Sequence, residues 1–134
     1  MVFIWCLSIG LFGVVLAGGA LAATDGPARL VLTALQGPGP ALFDAPLRFS
    51  LGVMGAVSIG WSVMLHLVVK EAIARGAAGR SLWNAVTAGM VSWFVLDSTL
   101  SVLTGFGLNL IPNIALVGMY WLGLVGSRAL KAEA

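Results

Sequence analysis

The sequence predicts an all-α fold: an integral membrane four-helix bundle with a short interfacial helix between spans one and two. Three observations predict it. Hydrophobic residues make up 60% of the 134 positions and charged residues only 9%, against about 25% charged in a soluble domain. A water-facing surface could not be covered from that supply. The charges that exist gather at the ends of apolar runs. The runs themselves have about the twenty residues that carry a helix across hydrocarbon at ~1.5 Å per residue.

The chain reads as a single membrane domain, 1–134, with spans near 2–23, 51–69, 82–103 and 108–126, an interfacial loop at 24–49 and a cytoplasmic tail at 127–134. Val2 to Ala23 contain no charged side chain. The Ala20-Leu21-Ala22 triplet resembles a signal-peptidase site, but no basic region precedes the apolar run, so an uncleaved first span is expected. Gly10, Gly13, Gly18 and Gly19 leave shallow places on it for another helix. Asp25-Gly26-Pro27 is a helix start, a capping acid followed by proline in the first turn. Gly37-Pro38-Gly39-Pro40 then ends a short helix lying in the interface, and an irregular piece through Phe43, Asp44 and Pro46 leads to Ser50, the expected cap of span two. In span two, Gly52, Ala56 and Gly60 form a small-residue stripe suited to close helix packing, and Ser62, His66 and Lys70 form a second stripe. Ser81 is the expected cap of span three, with Trp83 at headgroup level. Pro112 falls in the first turn of span four, where a missing N–H does least harm.

Basic residues set the orientation. Lys70, Arg75 and Arg80 join spans two and three, and Arg128 and Lys131 lie in the tail, whereas the first loop balances Arg29 and Arg48 with Asp25 and Asp44. The positive-inside rule then gives a multi-pass protein of the bacterial inner (cytoplasmic) membrane with both termini cytoplasmic. A net charge of +2 without a clustered basic patch argues against nucleic acid. Cys6 is the only cysteine, so no intrachain disulfide forms.

The chemistry concentrates between Trp93 and Asn113. Asp97 is the one acid inside an apolar run, about 9 Å from the outer end of its helix. The Gly105-Phe106-Gly107 turn folds span four back beside span three. Trp93, Asp97, Ser101 and Gly105 share one face, and Asn109, Asn113 and Tyr120 share another. Asp97 therefore accepts hydrogen bonds from Asn113 or Ser101. An isolated membrane aspartate costs about 2.5–3.5 kcal/mol. Such a group is a structural clasp for the hairpin, with Arg48 reaching down to help, a proton or cation site, or an anchor for a partner subunit or a bound head group. His66 lies near the opposite membrane face, about 15 Å from Asp97 along the axis, which argues against a catalytic dyad. His66 is a candidate cofactor ligand, able to give one axial bond to a pigment magnesium or a haem iron. A hydrogen-bonded interfacial histidine is the commoner role. The Trp residues read as belt or packing residues that pigment or quinone could also stack on.

No HExxH, GxSxG, P-loop or paired-carboxylate motif occurs, and no metal site is expected. Gly55-Ala56 with Gly60-Trp61, then Trp93-Phe94, Asp97-Ser98, Ser101, Gly105, Asn109 and Asn113, resembles small uncharacterised four-span bacterial inner-membrane proteins over roughly 51–120. The resemblance implies a membrane and a fold, and supplies no activity. The expected function is a non-catalytic accessory subunit, not an enzyme, packed against a larger bacterial membrane complex, either a photosynthetic reaction centre–antenna assembly or a respiratory one. Bound lipid is expected, with pigment or quinone contact open. The alternative is a homo-oligomeric transporter or channel for a small solute or ion, using Asp97.

Overall fold

The computed structural model describes residues 1–36 and 42–127. Its secondary structure is entirely helical: α1 (Val2–Gly18), α2 (Gly26–Gln36), α3 (Ala45–Ala74), α4 (Arg80–Leu103) and α5 (Leu110–Gly126), with 3-10 turns at Gly76–Gly79 and Gly107–Asn109. Three helical stretches are long and apolar enough to cross a membrane: Ala45–Ala74, Gly76–Leu103 and Gly107–Gly126. Helix α1 is apolar but shorter, at about 26 Å.

Several boundaries differ from the sequence reading. The first helix stops at Gly18 instead of continuing to Ala23. Gly19 and Ala20 already hydrogen-bond three residues back, and the Thr24 hydroxyl donates to the Gly18 carbonyl at 2.7 Å. Gly19 is needed there: a Cβ would lie 2.7 Å from Leu51 and 2.9 Å from Ala28. The long helix α3 starts at Ala45, about two turns before Leu51. Its cap is Asp44, whose carboxylate accepts from Leu47 N–H at 2.9 Å, with Pro46 in the first turn. Ser50 lies inside the helix and donates to the Pro46 carbonyl instead. The same helix runs on past 69 to Ala74, closed by the Glu71–Arg75 pair. Helix α2 matches its expected start at Asp25-Gly26-Pro27 and ends at Gln36; the Gly37–Pro40 run and the basic tail residues Arg128 and Lys131 lie outside the described residues.

Backbone approach, more than apolar filling, joins α1 to α3. The glycines that allow it are Gly13 and Gly55. A Cβ on Gly55 would fall 2.6 Å from Ala17 Cα and from the Gly13 carbonyl oxygen. The stripe expected to pack, Gly52, Ala56 and Gly60, is one position off. Ala56 and Gly60 are exposed, a Cβ on Gly60 would meet nothing on another helix within 4 Å, and a Cβ on Gly52 would lie 3.2 Å from Ala20. Gly10 lets Ser62 in, and the Ser62 hydroxyl donates to the Cys6 carbonyl at 2.7 Å.

The apolar core fills one end of the bundle, the end where Met1, the 76–79 turn and Ser127 meet. Trp5, Cys6 and Ile9 of α1 pack there with Leu65 and Val69 of α3, Trp83, Val86 and Met90 of α4, and Tyr120 and Leu124 of α5. Trp83 is therefore a core residue, 4% exposed, and not a headgroup anchor. Its helix starts at Arg80, capped by Gly79, two residues before a Ser81 cap would place it. Thr87 and the Tyr120 hydroxyl hydrogen-bond across α4 and α5.

The opposite end is fastened by polar groups. Asp25 is buried and receives two hydrogen bonds from Arg29 (2.9 and 2.8 Å) and one from Arg48 (2.8 Å). Arg48 also donates to the Gly19 and Phe43 carbonyls, and both guanidinium groups lie over the Phe43 ring. Hydrogen bonds from Arg29, then Arg48, hold the Asp25 carboxyl down at about 2, below its ordinary 3.8. This cluster ties α2 to the start of α3, and α2 rests on the Gly107–Asn109 turn.

Candidate functional site

Helix α4 carries Asp97, Ser98 and Ser101 at its α2 end; the tight turn at Gly105, which has φ +87°, returns the chain so that Asn109 and Asn113 stand opposite them. Spacing does the rest. Residues 97 and 101, like 109 and 113, are one turn apart on a shared helix face. The two asparagines grip the aspartate from successive turns. Asn109 Nδ2 donates to Asp97 Oδ2 at 2.9 Å and to Ser101 Oγ at 2.9 Å. Asn113 Nδ2 donates to Asp97 Oδ2 at 2.7 Å and to Ser98 Oγ at 3.1 Å. An ionised carboxylate can only accept, so both amides must present nitrogen to it. All four amide hydrogens are spent in this way.

The expected partners thus meet, with two differences. Ser101 serves Asn109 and does not bond Asp97 directly, because the amide stands between them. Arg48 does not reach the cluster; it is held by Asp25 and two carbonyls. Ser98 belongs to the site and was visible in the sequence as the neighbour of Asp97. Its pairing with Asn113 repeats that of Ser101 with Asn109, fifteen and eight residues apart. Asn113 is 3% exposed and Ser101 is buried, while Asp97, Ser98 and Asn109 are half-buried. No Lys, Arg or His pairs with Asp97 among the described residues.

His66 is elsewhere. It lies on the outward face of α3, in a groove of about 470 Å³ between α1 and α3 lined by Phe3, Ile4, Leu7, Val63 and Leu67. The imidazole is exposed, meets the Phe3 ring at 5.0 Å, and has no hydrogen-bond partner among the described residues. Trp61 and Trp93 approach each other at 6.4 Å between α3 and α4. Trp5 is fully buried against Tyr120, with its indole N–H unpaired among the described residues. Among the described residues no three His, Cys, Asp or Glu side chains gather to hold a metal ion. No family model, curated protein or solved structure matches the chain.

Proposed function

We propose that this chain is a non-catalytic accessory subunit that packs in the bilayer against a larger membrane complex and stabilises or bridges it. In this reading all four long or apolar helices are membrane-embedded, with both termini on the cytoplasmic face of a bacterial inner membrane. The observation that carries the proposal is His66. Histidines within membrane helices almost always face a bundle interior or an aqueous cavity, and they pair. Here the imidazole faces outward from an apolar groove with nothing to bond. A surface of that kind is completed by another component of the membrane. A photosynthetic reaction centre–antenna complex or a respiratory complex is the class of host, and either could set a pigment, haem or quinone against the same groove.

A second reading, a homo-oligomeric transporter or channel for a small solute or ion, draws on Asp97, an acid within α4 that lacks a cationic partner among the described residues. One experiment separates the two. Membranes are solubilised in mild detergent and the chain is purified under native conditions. The accessory reading expects a defined hetero-complex at fixed stoichiometry, with His66→Leu weakening its assembly. Isolation as a symmetric oligomer that conducts ions through Asp97 in vesicles would replace the first reading by the second.

A further inference from the structure

We infer that the Asp97 cluster is a receptor for a cationic side chain, a Lys ammonium or Arg guanidinium, borne by a membrane helix of the partner complex. The inference rests on the accessory-subunit reading and names the chemistry of one contact. It starts from what the clasp leaves over. Both asparagines turn their nitrogens inward, so their carbonyl oxygens point elsewhere and accept no hydrogen bond among the described residues. Asp97 receives both amides on Oδ2, and Oδ1 receives none. None of these three oxygens is sealed from the surface, because the indole nitrogen of Trp5 is the one buried side-chain polar atom left unpaired among the described residues. Asn113 is itself 3% exposed, so its open carbonyl oxygen is an acceptor held deep in the site.

A carboxylate with one open oxygen, held by two amides whose donors are already used, selects a ligand that brings donors and positive charge. An ammonium has three donors and no acceptor, and a guanidinium has five. None of the described basic residues supplies either. Arg29 and Arg48 are held by Asp25, Arg75 is held by Glu71, and Lys70 and Arg80 lie at the opposite end of the bundle. Around the cluster, Leu96 and Leu100 on α4 and Ile111 and Ile114 on α5 are exposed. An acidic spot about 9 Å below the helix end, rimmed by apolar side chains, is complementary to a basic residue on a membrane helix. Intramembrane charges persist by pairing in this way.

The test places a photo-crosslinking amino acid at exposed Leu100, leaving the clasp intact, and irradiates native membranes. The crosslinked peptide is mapped by mass spectrometry. The expected product is a membrane-spanning segment with a Lys or Arg within one turn of the crosslink. Replacing that residue by Leu, or Asp97 by Asn, is expected to weaken retention of the complex about a hundredfold, as removal of one member of a buried pair does. A crosslink to a segment without a basic residue, or undiminished assembly of Asp97→Asn, overturns this inference and leaves the accessory reading standing. Crosslinks only between copies of this chain, with sodium or proton binding that Asp97→Asn abolishes in vesicles, overturn both.

Discussion

Replacing Gly55 by alanine tests the packing at its tightest point. A Cβ there would sit 2.6 Å from Ala17 Cα and 2.6 Å from the Gly13 carbonyl oxygen, both backbone atoms of α1. Carbon atoms in good contact stand about 3.5–4.0 Å apart, so the two helices must separate by roughly 1 Å, a gap that forfeits up to about half of each facing contact. Overpacking of this kind costs about 1–3 kcal/mol, and backbone against backbone lies at the upper end. Alanine recovers about 1 kcal/mol of helix propensity. The net expectation is a loss of about 2 kcal/mol, or about thirty-fold in the folded-to-unfolded ratio. Unfolding in mixed micelles by denaturing detergent, followed through Trp fluorescence, reads it directly, because Trp5 is fully buried on α1. Gly60→Ala is the control: its Cβ would meet nothing on another helix within 4 Å, so it should leave stability unchanged or raise it by up to about 1 kcal/mol. Equal behaviour of the two variants, or greater damage from Gly60→Ala, would refute the assigned register of α1 on α3.

Asn113→Ala removes hydrogen bonds to Asp97 and Ser98 and should cost about 1 kcal/mol in the same titration, since each membrane hydrogen bond averages about 0.6. Asp25 contributes stability that is complete above its ordinary pKa of 3.8 and is lost as pH falls through about 2. Arg48→Gln should raise the Asp25 value toward 3.8 and move that loss to higher pH, which carboxyl titration by NMR measures. His66→Leu should leave the isolated chain within about 0.5 kcal/mol of wild type, because the imidazole makes no hydrogen bond among the described residues. Thr87→Val removes the hydrogen bond of a buried tyrosine and should destabilise by roughly 1 kcal/mol.

The sequence made the hairpin site legible because two helix periods and one glycine turn determine it. Once Gly105 reverses the chain, Asp97 and Ser101 must face Asn109 and Asn113 at one-turn intervals. The start of α2 was legible at Asp25-Gly26-Pro27, but among the described residues the Asp25 carboxylate accepts from Arg29 and Arg48 and not from a helix N–H. The cap of α3 was not legible, because two candidates competed: Asp44, with Pro46 in the first turn, bonds Leu47 N–H and starts the helix about two turns before Leu51. The choice between Gly55 and the Gly52–Ala56–Gly60 stripe depends on the rotation of α3 about its own axis. That rotation is set by where α1 lies, which no local pattern in α3 records. The reach of Arg48 to Asp25 across twenty-three residues was hidden for the same reason.

The uneven distribution of packing gives the two ends of the bundle different tasks. Bulky side chains from α1, α3, α4 and α5 interlock at the terminal end. At the α2 end, the helices are held by directional groups: the Asp25–Arg48 pair on one side and the Asp97–Asn109–Asn113 clasp on the other. In lipid, apolar burial drives helix association little, and packing and hydrogen bonds carry it. On the reading proposed above, the terminal end is complete within one chain and the clasp is not: its carboxylate has no cationic partner among the described residues. Neutralising Asp97 by mutation should therefore alter the isolated chain little while changing its assembly strongly. A structural role alone predicts the reverse order, and comparing Asp97→Asn in the detergent titration with Asp97→Asn in native complexes decides between them.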